Sequence, residues 1–234
     1  METFELQELG APPRTEAELL SRAEELARWT VGELADALAV EHPNEPARAK
    51  GFVGNLLERA LGATADNRPV PDFEALGVEL KSVPVDTRGR PRESTFVTTV
   101  CWPELADGTT WARSSLRQKT ARILWIPVEA DERWPLPNRR IGRPLLWSPA
   151  PDDEARLASD WDLFGRAVRS GEPEAITAEW GEVLQMRPKA ADSRARTRLA
   201  HPTRAEALPP RGFYVRSRFT RALFARAYLL PEDG

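Results

Sequence analysis

Asp72, Glu79 and Lys81 stand in the run Pro71-Asp72-x6-Glu79-x-Lys81. In an extended strand, residues two apart share a face, so Glu79 and Lys81 would point to one side and Val78 and Leu80 into the core. A carboxylate and an ammonium held side by side on rigid backbone suit metal-assisted hydrolysis of a phosphodiester. Asp72, just ahead of the strand, can converge with Glu79 on one divalent cation, and the Leu80 carbonyl between the paired residues is a further oxygen ligand. Mg²⁺ prefers such oxygens and keeps several waters, one of which can serve as nucleophile; Mn²⁺ would substitute. Lys81 could orient or deprotonate that water, or neutralise charge on phosphorus. The same pair also reads as an ordinary ion pair across one strand face.

The scarcity of lysine sharpens the chemical reading. Of 33 Lys and Arg residues, only Lys50, Lys81, Lys119 and Lys189 are lysines. A solvated basic surface works with either type, but a site that needs a compact ammonium able to give up a proton cannot accept Arg. Glu58 is a further carboxylate of interest. Its neighbours Leu56 and Leu57 are apolar and expected in the core, and a carboxylate at the rim of that stripe is costly unless paired or metal-bound.

Composition narrows the alternatives. One cysteine (Cys101) and two histidines (His42 and His201) argue against a disulfide, a structural zinc site, or His- or Cys-based catalysis. No apolar run reaches the ~18 residues that span a bilayer. The acidic N-terminus has no basic n-region, which points away from secretion and towards the cytoplasm. The net charge of -3 hides an asymmetry. Residues 1–50 hold eleven acids and five bases; residues 187–226 hold eleven bases, Arg216 and Arg218 among them, and two acids. The basic segment reads either as a phosphate footprint or as a solvated helix face.

The elements that would position these residues alternate in type. Thr15-x-x-Glu18 and Thr30-x-x-Glu33 are capping boxes, the first opening a helix to about Trp29. A third helix is expected from about Ala47 to Leu61, stopped by Gly62. Strands are expected at Val78–Val83, Thr95–Val100, Ile123–Val128, Arg140–Ser148, Val183–Arg187 and Phe213–Arg216. Helices are expected at Trp111–Thr120, Asp152–Ser170, Pro173–Gly181 and Thr220–Leu229, with Cys101–Gly108 a variable loop. The sum is a mixed α/β chain forming one domain over residues 1–234, with two lobes and loosely held ends at about 1–12 and 231–234.

Pro71-Asp72-Phe73-x-Ala75-Leu76-Gly77-Val78-Glu79-Leu80-Lys81, followed by Pro84-Val85-Asp86, closely resembles the MutH family of DNA mismatch-repair endonucleases. That family is related to type II restriction enzymes of the PD-(D/E)xK superfamily. Matching segments continue through Lys50–Gly62, Gly89–Val97, Leu124–Glu129, Pro144–Pro149, Arg187–Ala191 and Pro210–Tyr214, from about Thr15 to Leu230. The resemblance implies a restriction-endonuclease-like mixed sheet flanked by helices, with two lobes clamping double-stranded DNA. It implies nicking of the unmethylated strand at hemimethylated GATC, just before the G, with Mg²⁺ as cofactor. It implies activation by the ATPase MutL after MutS finds a mismatch, and a monomeric enzyme. By residue, it implies an active site of Glu58, Asp72, Glu79, Lys81 and Lys119, with Asp72, Glu79, Leu80 and Glu58 holding metal. Lys50, Phe96, Arg187, Pro188, Lys189 and Tyr214 would meet DNA. All four lysines fall on such positions. Gly212 permits a tight approach just before the strand presents the Tyr214 ring. The Arg-rich stretch Asp192–Pro209 is poorly matched. Two rival readings are an autonomous restriction-type enzyme cutting both strands as a dimer, and a DNA-binding module that has lost its metal.

Overall fold

The computed structural model describes residues 9–43, 51–66, 68–189 and 210–229. Lys50, the start of the expected third helix and the Arg-rich stretch therefore lie outside the described residues. The chain forms two compact units. The first takes Met1–Glu93, Arg122–Ser148 and Arg221–Gly234; the second takes Ser94–Ala121 and Pro149–Thr220. Each contains one three-stranded sheet flanked by helices, and the sheet of the first unit is mixed.

In the first unit, α1 (Glu16–Leu26), α2 (Val31–Ala37) and α3 (Phe52–Leu61) precede β1 (Glu79–Val85). The Thr30 capping box is complete, each side chain accepting from the other residue's backbone N–H. The Thr15 box is half formed: Thr15 accepts from Glu18, but Glu18 itself accepts from Arg14. β1 pairs in parallel with β3 (Ile123–Glu129), which pairs antiparallel with β4 (Leu145–Trp147). β4 is shorter than expected because Arg140 and Ile141 make only isolated bridges. Leu80, Leu124 and Ile126 join a buried apolar cluster with Leu19, Leu34 and Leu57 of the helices. Trp125 of β3 lies against Trp147 and against Phe224 of α7 (Ser217–Tyr228), with ring centroids 6.2 and 6.5 Å apart. Leu9–Pro12, expected to be loose, are held: Gly10 N–H donates to Ala60 O, and Arg22 to Ala11 O.

The second unit is built on β2 (Thr95–Thr99), β6 (Arg211–Val215) and β5 (Leu184–Pro188), antiparallel in the order β2-β6-β5. A bulge interrupts β2 between Phe96 and Thr98. Phe213 packs on Trp161 and Phe164 of α6 (Pro151–Arg169), making an aromatic core. Cys101–Gly108 is not simply a loop: it contains α4 (Trp102–Ala106), which buries Trp102 and Leu105 three positions apart. The expected helix Trp111–Thr120 divides into a 3-10 turn at Trp111–Arg113 and α5 (Ser115–Thr120), because Ser114 caps the latter by accepting from Arg117 N–H. Pro173–Gly181 forms only a 3-10 turn at Pro173–Ala175. Among the described residues, no helix is long and apolar enough to cross a membrane.

Candidate active site and nucleic-acid interface

The six-residue spacing between Asp72 and Glu79 has a local cause. Phe73 and Val78 exchange both backbone hydrogen bonds, at 2.9 and 3.3 Å. The chain between them turns through a 3-10 turn at Glu74–Leu76, closed by Gly77 in the left-handed region at φ 65°. That closure brings Asp72 back beside the first residues of β1. Its carboxylate Oδ2 accepts the Leu80 N–H at 2.7 Å, while its own carbonyl accepts from Thr64 and Ala65. Asp72 is thus clamped from both sides at the peptide that separates Glu79 from Lys81.

Lys81 Nζ donates to Glu79 Oε1 at 2.5 Å, so the two side chains share a face as strand alternation requires. Burial exceeds the sequence expectation. The Glu79 side chain is 1% exposed and that of Lys81 14%. A carboxylate so far from water is costly unless it has a cationic partner, which Lys81 provides. In register, Lys81 stands opposite Trp125, a strand neighbour the sequence did not single out.

Glu58 is half-buried on α3, between the buried Leu57 and the exposed Arg59. It lies one helical turn beyond Gly54, whose Cα side faces Ser82 of β1; a Cβ there would sit 3.7 Å from Ser82 Oγ. Among the described residues no group of three or more His, Cys, Asp or Glu side chains could hold a metal ion. The arrangement seen therefore offers two carboxylates, Asp72 and Glu79, with the Leu80 carbonyl between them. All three donors are oxygens, which fits a hard dication. Lys119 belongs to the second unit, buried in the last turn of α5.

The second unit gathers the other matched residues on its sheet. Phe96 and Tyr214 are direct cross-strand neighbours, their rings 5.4 Å apart and edge-on. The Arg187 guanidinium lies over the Tyr214 ring at 5.3 Å from its centroid, and Lys189 Nζ lies over Phe96 at 5.0 Å. Lys189 also donates to Thr99 Oγ1 at 2.7 Å, a bond that sequence reasoning missed because an exposed strand threonine gives no signal. Arg187, Pro188 and Lys189 are exposed, while Phe96 and Tyr214 are half-buried. Two cations resting on two aromatic rings form a surface suited to phosphates and bases. Arg216 and Arg218 are different. Arg216 donates to the carbonyls of Ala178 and Trp180, and Arg218 to that of Glu182, so both brace the unit's own backbone. Burial also lowers the pKa of Arg216 below the usual guanidinium value, with the neighbouring Arg218 adding to the effect.

Comparison with known proteins places the chain in a family. Residues 61–160 match the family described as DNA mismatch repair enzyme MutH, a span that includes Asp72, Glu79, Lys81 and Lys119. The chain is 48% identical over 229 residues to the DNA mismatch repair protein MutH of Klebsiella pneumoniae subsp. pneumoniae, covering 96% of this chain and 97% of that one. It is 49% identical over 228 residues to the protein of the same name from Salmonella paratyphi C, with the same coverage.

Proposed function

The chain belongs to the MutH family of DNA mismatch repair endonucleases, and from that premise we propose that it nicks the unmethylated strand of hemimethylated GATC, just before the G, by Mg²⁺-dependent hydrolysis. The observation that carries this reading is the Asp72 carboxylate on the Leu80 N–H, which brings both acids and Lys81 to one short stretch of β1.

In this reading Asp72, Glu79 and the Leu80 carbonyl would hold the dication; Glu58 from α3, which does not group with them here, is added only on its family match. The bound ion would supply Lewis acidity toward the phosphate and lower the pKa of a bound water. Lys81 orients or deprotonates the attacking water, or balances charge at phosphorus, and Asp72 fixes the β1 backbone on which both groups stand. Lys119 is assigned to the same chemistry on its family match. Arg187, Pro188, Lys189 and Phe96, together with Lys50, bind the duplex. Tyr214 reads methylation. Adenine presents an exocyclic amino group in the major groove. A rigid phenol packed against it would clash with an added methyl, rejecting the methylated strand by repulsion rather than by weaker attraction. The enzyme acts as a monomer in the cytoplasm, and MutL activates it after MutS has found a mismatch.

The test is to incubate the protein with Mg²⁺ and plasmids carrying unmethylated, hemimethylated or fully methylated GATC, and to map the product ends. A single nick 5′ to the unmethylated G is expected. Double-strand cleavage of fully methylated sites, or no metal-dependent cleavage with MutL present, would overturn the reading.

A further inference from the structure

Gly212 sits inside β6, paired in register with Thr99 on one side and Arg187 on the other. It is buried, and its φ is not among the positive values seen at other glycines. Its backbone would therefore accept any residue, and the demand for glycine must come from space. A Cβ there would lie 2.7 Å from Phe96 Cε2, 3.1 Å from Phe96 Cδ2 and 3.1 Å from Tyr214 Cε2. A real Cβ essentially never comes as close as 2.7 Å, so a side chain at 212 would have to displace the Phe96 ring, and it would crowd that of Tyr214.

Both rings thus close over one bare Cα. Tyr214 is two residues on, on the same strand face, and Phe96 is the diagonal neighbour on β2. The bulge after Phe96 lets β2 supply both Phe96 and Thr99 to this spot. The two cations over these rings, Arg187 and Lys189, come from β5 and the residue that follows it. The four-residue surface is assembled around an absent side chain.

We infer that Gly212 is a specificity-determining residue: by carrying no Cβ it seats the Phe96 and Tyr214 rings at the height where the phenol separates methylated from unmethylated adenine. The inference rests on Tyr214 being the methyl sensor. The atom that must yield is the far edge of a half-buried ring, not backbone. An added methyl therefore shifts the sensor while the fold persists. Gly212 acts through Tyr214 and Phe96 and is a positioning residue.

The experiment compares nicking rates on unmethylated and fully methylated GATC duplexes, with Mg²⁺, for wild type, Gly212→Ala, Phe96→Ala, the double variant and Tyr214→Ser. Thermal unfolding of each chain is followed in parallel. Gly212→Ala should lower the unmethylated-to-methylated rate ratio by roughly tenfold or more, the scale of a methylene in a packed pocket. In the Phe96→Ala background the same change should cost much less, because the ring it strikes is gone. A Gly212→Ala enzyme with wild-type discrimination, beside a Tyr214→Ser enzyme that has lost it, overturns the role of Gly212 and leaves the sensor standing. Wild-type discrimination in Tyr214→Ser overturns the sensor, and this inference with it. Should Gly212→Ala fail to fold, Phe96→Leu reads the same point from the other side. The smaller side chain leaves the rings unseated and must reduce discrimination; an unchanged ratio refutes the inference.

Discussion

The Leu80 N–H donates to the Asp72 carboxylate at 2.7 Å, so the residue eight positions earlier is bonded to the peptide that spaces Glu79 from Lys81. One acid therefore has two duties: it fixes the start of β1 and presents a second oxygen to the site. Asp72→Asn separates them, since its carboxamide oxygen can still accept from Leu80. The variant should fold and bind duplex as wild type does, yet lose about 10²–10³ in nicking rate, the usual scale for removing a charge-stabilising group. Single-turnover nicking with a parallel melting curve measures both. Turnover near wild type would remove Asp72 from the chemistry.

Lys81→Arg is the narrower test. Lys81 Nζ reaches Glu79 at 2.5 Å beside a carboxylate that is 1% exposed. Arg retains positive charge and can satisfy the buried acid, but it cannot exchange a proton and its planar fork needs more room. Nicking should fall by roughly 10²-fold or more, whereas affinity for DNA measured without divalent metal should hardly change. A rate close to wild type would mean that only the charge matters.

The basic residues of the C-terminal segment divide by what their charges already do. Lys189 is exposed, with its ammonium over Phe96 and donating a hydrogen bond to Thr99 Oγ1. Lys189→Ala should weaken binding to any duplex sequence and flatten the slope of log K against log salt by about one unit for each phosphate left without its cation. Arg216 donates from one guanidinium nitrogen to the Ala178 and Trp180 carbonyls. Arg216→Ala should lower the melting temperature and leave that slope unchanged. A flattened slope for Arg216→Ala would return it to the DNA-binding set.

Features set by local chemistry were readable from the sequence. Asp72, Glu79 and Lys81 could be grouped because a short closed loop and strand alternation decide their placement, and both act within ten residues. The run Ile123–Val128 could be recognised as a strand because it is short, apolar throughout and rich in β-branched and aromatic residues. Features set by distant partners were hidden. Pro173–Gly181 has helical composition, but Arg211 takes the carbonyl of Ile176, and Arg216 those of Ala178 and Trp180. Those acceptors would otherwise serve a helix. The depth of Glu79 was hidden too, since burial depends on what packs over a strand face. The bulge in β2 left no mark either, because no Gly or Pro announces it.

Acidification should protonate Asp131 later than an ordinary carboxyl. Hydrogen bonds from the Arg133 side chain and backbone hold this carboxyl down at about 2, against an ordinary value of 3.8. The sign follows from the depressed folded value: whatever stability the pair contributes is fully present above 3.8 and is lost as pH falls toward about 2. A carboxyl-carbon NMR titration should place the Asp131 midpoint near 2 in wild type and return it to the ordinary carboxylate range in Arg133→Ala. An unmoved midpoint in the variant would assign the depression to another cause. The pair is largely solvent-facing through Arg133, so the accompanying change in stability should be small.

The largest stability effect outside the apolar cores should come from Asp160. It lies in α6 with 4% exposure. Its Oδ1 accepts from Glu182 N–H at 2.7 Å and its Oδ2 from Val183 and Leu184 N–H at 2.8 Å each. These three donors stand at the start of β5, just after Gly181 turns the chain at φ 86°. One carboxylate thereby fixes the register of the strand that ends in Arg187 and Pro188. Asp160→Ala leaves three buried or half-buried donors unmatched and should cost about 2–4 kcal/mol, since bonds to a charged acceptor are among the stronger ones and an orphaned donor keeps its desolvation penalty. Asp160→Asn is more diagnostic, because its volume is unchanged but one acceptor becomes an NH₂ facing N–H groups. It should still lose more than half of that stability in urea unfolding and weaken duplex binding through a displaced β5, without altering the metal dependence of nicking. An Asn variant as stable as wild type would mean that these N–H groups find other partners and that Asp160 is not what holds the strand in place.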